Sequence, residues 1–100
     1  MRKHGNANEN DNLHHLYEID DIQEEDIFKY GISGKPLNPD GTSARAEEQI
    51  NILNKAVGFK RFISKILMTE IEGRVKAKEL EQQHIDNYEK KHGKKPRGNI

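Results

Sequence analysis

One hundred residues, about a third apolar and a third charged, make one domain with a modest core in which each buried side chain matters. The chain has no cysteine, which excludes disulfides and thiolate metal sites. No stretch approaches the ~20 apolar residues that span a bilayer. A net charge of zero hides a division, because residues 1–30 hold eight acids and three bases while residues 31–100 hold nine acids and fourteen bases. Blocks of this kind suit a polyanion-binding surface, although a solvated helix end gives the same pattern.

Residues 1–13 are polar and rich in asparagine, with almost nothing to bury. They are expected to form a disordered linker, and they contain no apolar run of the kind a signal peptide needs. Residues 14–100 then form the domain. Two short runs rich in β-branched and aromatic residues, His15 to Ile19 and Ile27 to Ile32, flank the acidic cluster Asp20 to Asp26. This pattern predicts a hairpin. Pairing Tyr17 opposite Lys29 would place both on one face.

Residues 34–42 (GKPLNPDGT) contain two prolines and two glycines and read as a loop. A helix is predicted from near Ser43, a good N-cap, with Ala46, Ile50, Leu53 and Val57 as its apolar stripe and Gly58 as its end. The stretch RFISKILM within residues 59–71 has apolar residues at both parities, as a strand covered on both faces would. A long helix follows from about Gly73 to Lys91, ended by Gly93 and Pro96. The order β-β-α-β-α predicts an α/β (α+β) fold, a three-stranded antiparallel sheet flanked by helices.

The last helix holds an anomaly. With Ala77 set at zero and about 100° per residue, Leu80, His84, Tyr88 and Ile85 form a stripe from about 300° to about 80°, and Glu81 falls inside it at about 40°. A carboxylate facing a core needs a cation or a metal. Arg74, Arg45, a bound metal, or a shift of the helix that exposes Glu81 would each satisfy it. Arg45 lies in the first turn of the earlier helix, where its fork either grips a phosphate or is simply solvated. Tyr17 and Lys29 are ordinarily packing and solvent-facing residues. His4, His14, His84 and His92 are not spaced as a metal site, and His84 reads as a core-edge residue.

Taken in order, these residues resemble the GIY-YIG (UvrC/intron-endonuclease, or URI) nuclease family over about residues 14–99. His15-Leu16-Tyr17 lies where that family has Gly-Ile-Tyr, and Lys29-Tyr30-Gly31 where it has Tyr-Ile-Gly. Arg45 matches the family's arginine. Ala77 to Ile85 resembles the family's Ala-x-x-x-Glu-x-x-x-Ile segment, and Asn99 its terminal asparagine. KHGN near the start, KYGISGKPLNPDGTSARAEEQINILNKAVG in the middle and HGKKPRGN at the end resemble the C-terminal toxin domains of Rhs-type polymorphic toxins. Three departures stand out: His15 replaces a glycine, Lys29 replaces a tyrosine, and Gln49 stands where some relatives carry His or Tyr.

The resemblance implies a one-metal phosphodiester hydrolysis of DNA, with RNA less favoured. Glu81 would hold Mg²⁺ or Mn²⁺, Arg45 would neutralise phosphate charge, and Tyr17 would orient or deprotonate water, its phenol pKa lowered by Lys29 or the metal. Tyr30 and Asn99 would complete the site, and Lys29 would bind a phosphate oxygen. Lys90, Lys91, Lys94, Lys95 and Arg97 would hold the nucleic-acid backbone. The resemblance also implies a larger carrier that delivers the domain into a target-cell cytoplasm, and a cognate immunity protein. Two alternatives are a catalytically inactive nucleic-acid-binding module of the same fold, and an interaction domain that docks a partner through its acidic hairpin.

Overall fold

The computed structural model describes residues 12–100. Of the linker expected over residues 1–13, residues 1–11 lie outside the described residues, while Leu13 already opens the first strand. The elements are β1 (Leu13–Asp21), β2 (Asp26–Ser33), α1 (Ala44–Val57), β3 (Phe62–Glu72), α2 (Arg74–His92) and a final 3₁₀ turn (Arg97–Asn99). The expected order β-β-α-β-α and the α+β class hold. All pairings are antiparallel, with β1 in the middle of the order β2-β1-β3.

The hairpin turn is built by its acids. Asp21 Oδ1 accepts from the backbone N–H groups of Gln23 and Glu24, the local bonding that favours Asp in turns. Glu25 takes the left-handed φ of 53° that closes the turn. The register differs from the expected one: Tyr17 lies opposite Gly31, and Lys29 opposite Ile19. A bulge between Ile19 and Asp20 inserts Phe28 into β2, and such an irregularity lies beyond any count of residues from the turn. Tyr17 and Lys29 still share a face as diagonal neighbours.

The two faces of the sheet carry separate cores. Tyr17, Ile19 and Phe62 pack against Ala46 and Ile50 of α1, with Phe28 and Ile66 at the margin. Leu16, Ile71 and Tyr30 pack against Ala77, Ile85 and Tyr88 of α2. β3 is thus partly covered on both faces, with Phe62 and Ile71 buried and Ile63, Ile66 and Leu67 half-buried, which accounts for its apolar residues at both parities. Each large side chain so buried contributes roughly 1.5–3 kcal/mol.

Helix α1 starts as expected. Ser43 accepts from the Ala46 N–H at its N-cap, and Gly58 ends it at φ 87° by donating to the Asn54 carbonyl. The Asn54 side chain ties this end to β3, accepting from the Arg61 and Phe62 N–H groups and donating to the Phe62 carbonyl.

The free edge of β2 is closed by the C-terminal segment. Asn99 Oδ1 accepts from the Tyr30 N–H, and its Nδ2 donates to the Tyr30 carbonyl, so one side chain plays the part of a neighbouring strand. Arg97 fastens this strap. Its Nη2 donates to Asp21 Oδ2 at 2.7 Å, and its guanidinium lies over the Phe28 ring. Arg61 donates to both oxygens of the same carboxylate, at 2.9 and 2.7 Å. Asp21, a turn acid in the sequence, is therefore the fully buried junction of the hairpin, β3 and the C-terminal strap.

On the α2 side of the sheet, Glu18 and Asp20 stand next to each other. Asp20 pairs with Lys65 at 3.1 Å, yet its Oδ1 is buried without a hydrogen-bond partner among the described residues. Burial first, then the bond to Asp20 and the charge of Asp20, push the Glu18 carboxyl up to about 7. A raised carboxyl pKa means that the folded state binds the proton more tightly than the unfolded chain. Stability is then present below the ordinary carboxyl pKa and falls as pH rises from about 4.5 to about 7. Glu18→Gln, which keeps a donor for Asp20, is expected to raise the Tm at pH 8 by about 4 °C and to flatten that fall. Thermal melts at pH 5 and pH 8 check it; an unchanged difference between the two pH values would contradict it.

Candidate active site

Four of the residues singled out in the sequence meet in one cavity of about 640 Å³ on the β2 side of the sheet: Tyr17, Lys29, Arg45 and Glu81. Each comes from a different element. β1 supplies Tyr17, β2 Lys29, the first turn of α1 Arg45, and the third turn of α2 Glu81. The cavity draws on both faces of β2, with Lys29 and Gly31 from the α1 side and Ile32 from the α2 side. It therefore lies along the edge of the sheet rather than beneath either helix. This placement accounts for a carboxylate inside an apolar helix stripe: Ala77, Ile85 and Tyr88 are buried, while Glu81 is half-buried and turned to the cavity.

Tyr17 is the floor of the site, 1% exposed. Its ring lies over Gly31, the residue opposite it. A Cβ at Gly31 would stand 2.8 Å from Tyr17 Cε1 and closer still to Cζ and Oη. Glycine at this position is thus a requirement of the tyrosine. Gly31→Ala is expected to lower any Tyr17-dependent activity at least tenfold by tilting the phenol, at a cost of about 1–3 kcal/mol for overpacking. Activity and urea unfolding measured on the same variant check the pair of effects; unchanged activity would contradict the role given to the phenol's position.

The Tyr17 hydroxyl donates to Gln49 Oε1 at 3.2 Å. Burial raises the phenol pKa above the ordinary value; Arg45 and the Gln49 bond oppose this in part, and the Glu81 charge adds to it. Of the two groups expected to lower this phenol, Lys29 or a bound metal, Lys29 is not among the side chains that act on it; Arg45 and Gln49 are the ones that work against burial.

Burial also raises the Glu81 carboxyl. Lys78, Lys29 and Arg74 oppose it through space, but none comes within ion-pair distance. Among the described residues the ion pairs are Arg61 and Arg97 with Asp21, and Lys65 with Asp20. Neither Arg74 nor Arg45 pairs with Glu81, which closes the ion-pair reading of the helix anomaly. No group of three or more His, Asp or Glu able to hold a metal exists among the described residues. A single desolvated carboxylate in an open polar cavity still fits a hard divalent cation that keeps most of its waters, as Mg²⁺ does.

The remaining predicted residues lie elsewhere. Tyr30 faces the other side of the sheet, packed on Ile85 and Tyr88 with its ring 5.3 Å from His84. Both ends of the Asn99 amide are bound to the Tyr30 backbone. Arg97 is held by Asp21. Lys90 and Lys91 lie at the far end of α2, about 14 Å of helix rise beyond Glu81, with Lys94 and Lys95 past its Gly93 cap.

Lys35 and Lys78, which the sequence does not single out, and Arg74, expected there only as an ion-pair partner of Glu81, also line the cavity. Lys78 and Arg74 precede Glu81 by three and seven residues, a helical spacing that places them on its side. That spacing was the available signal.

The family model for URI fold toxin 2 matches residues 7–93. No curated protein and no solved structure matches the chain.

Proposed function

The chain belongs to the URI fold toxin 2 family, and from that premise we propose that it is a metal-dependent endonuclease that hydrolyses phosphodiester bonds in DNA. We place it as the toxin tip of a Rhs-type carrier, delivered into a target-cell cytoplasm and neutralised there by a cognate immunity protein. One observation carries the catalytic reading: Glu81, half-buried and without an ion pair among the described residues, shares a cavity with Tyr17 and Arg45.

In this reading Glu81 holds Mg²⁺ or Mn²⁺. The ion, when bound, would polarise the phosphate and stabilise the leaving oxygen. Arg45, exposed at the cavity mouth, offers a planar fork to the non-bridging phosphate oxygens as charge grows on them. Lys29 adds a point charge from the opposite wall. Tyr17, a phenol protonated at neutral pH even at its ordinary pKa and raised further by burial, donates to Gln49 and offers its oxygen to the attacking water. It positions that water and does not deprotonate it in the resting state.

Lys29, where the resembling nucleases have a tyrosine, favours a second reading as an inactive nucleic-acid-binding module. Incubating the protein with plasmid DNA and with RNA, in Mg²⁺, Mn²⁺ or EDTA, separates the two. Cleavage of DNA that needs the metal supports the proposal. Binding without cleavage in either metal supports the module instead, and faster RNA cleavage would move the substrate.

A further inference from the structure

Among the described residues, one acid faces five cations in the cavity. Lys29, Lys35, Arg45, Arg74 and Lys78 line it with Glu81, and none of the five has an ion-pair partner among the described residues. By contrast, Arg61, Lys65 and Arg97, the three cations paired among the described residues, all find carboxylates. Gathering five like charges around one carboxylate is unfavourable at low ionic strength unless a polyanion offsets them. The scissile phosphate would be met by Arg45 and Lys29. Lys35, from the loop after β2, and Arg74 and Lys78, on the first two turns of α2, are left over.

We propose that Lys35, Arg74 and Lys78 form a second anion subsite that takes the phosphates flanking the scissile one, so that the nucleic-acid backbone runs over the start of α2 and not along the basic tail. The proposal rests on the nuclease reading for its ligand, but its observation is independent of catalysis. It explains why the cavity, at about 640 Å³, is far roomier than one hydrated ion and one phosphate need. It also explains why the tail does not serve: Lys90 and Lys91 stand about 14 Å along the helix from Glu81, and Arg97 is bound to Asp21. Lys35 and Lys78 are exposed and Arg74 is half-buried, so their replacement by glutamine is expected to leave the fold intact.

The test is binding of a fluorescein-labelled 20-nucleotide DNA, followed by anisotropy in EDTA so that nothing is cleaved, over a range of salt concentrations. Each of Lys35→Gln, Arg74→Gln and Lys78→Gln is expected to weaken binding about three- to tenfold at low salt and to reduce the slope of log Kd against log salt by about one. Removing Lys90, Lys91, Lys94 and Lys95 together is expected to weaken it less than Arg74→Gln with Lys78→Gln. A larger effect from the tail, or none from the three rim residues in variants with unchanged Tm, overturns the proposal.

A dinucleotide with a single phosphodiester gives the second readout. Its turnover should change less than twofold in Lys35→Gln, at a residue not among the charges acting on Glu81 or Tyr17, while kcat/KM on the long strand falls. Equal losses on both would place Lys35 at the scissile phosphate and overturn the subsite. If the wild-type chain cleaves nothing in any metal, the nuclease reading fails, and the binding comparison still decides this one.

Discussion

Glu81→Ala is expected to lower metal-dependent cleavage by about 10³-fold without lowering the Tm. A group that stabilises charge only as it develops is worth on the order of 10²–10³ in rate, and Glu81 is the one carboxylate among the described residues lining the cavity, so no described neighbour there replaces it as a metal ligand. Arg45→Ala is expected to cost about 10²-fold, and Arg45→Lys to recover only part of it, because a point charge does not reproduce a bidentate fork. The stability half of the prediction comes from the same burial. The Glu81 carboxyl is raised above its ordinary pKa, so its charged form is disfavoured by folding. The sign follows: its contribution is favourable below the unfolded pKa and lost as pH rises through the folded value. Glu81→Gln, which removes the charge, should therefore melt at the same temperature as wild type or higher at pH 8. Cleavage rates with Mg²⁺ and calorimetry on the same preparations check both halves. A fall in Tm with normal cleavage would make Glu81 a structural residue and end the catalytic assignment.

The largest stability loss is expected at the opposite end of the hairpin. Asp21→Ala should destabilise the domain by about 3 kcal/mol, a large share of the roughly 5–10 kcal/mol that a domain of this size has, and lower the Tm by roughly 15 °C. The Asp21 side chain is fully buried, accepts three bonds from Arg61 and Arg97, and accepts two more from the turn backbone. Removing it strands two arginines and two amides together. The Arg61 and Arg97 guanidinium groups hold its carboxyl far below the usual carboxylate range. This contribution is thus fully present above the unfolded pKa near 4 and is lost as pH falls toward the folded value. Urea unfolding at pH 7 and pH 3 measures it, and the variant should lose much of the pH dependence that wild type displays below pH 4. The C-terminal strap is expected to loosen in the same variant. Asn99 would then protect the Tyr30 amide less, and its hydrogen exchange should quicken. A loss under 1 kcal/mol would mean that the two arginines are solvated as well as they are paired.

Residue pattern alone determined the element order, the caps of α1 and the identity of Glu81 as the misfit of its helix. These are local matters. A stripe every three or four residues, a serine before it and a glycine after it act within one or two turns, and the chain cannot avoid them. The register of β2, the closing of its edge by Asn99, the burial of Asp21 and the loss of Arg97 to that carboxylate depended on contacts between segments up to 76 residues apart, and periodicity carries no record of such distances. Tyr17 illustrates the division. Its strand and face follow from alternation, but its place across Gly31 arises only because a bulge at Phe28 shifts the pairing. The five cations around Glu81 are the other case. They are scattered from residue 29 to residue 78 and became one surface only when three elements and a loop met at the edge of β2.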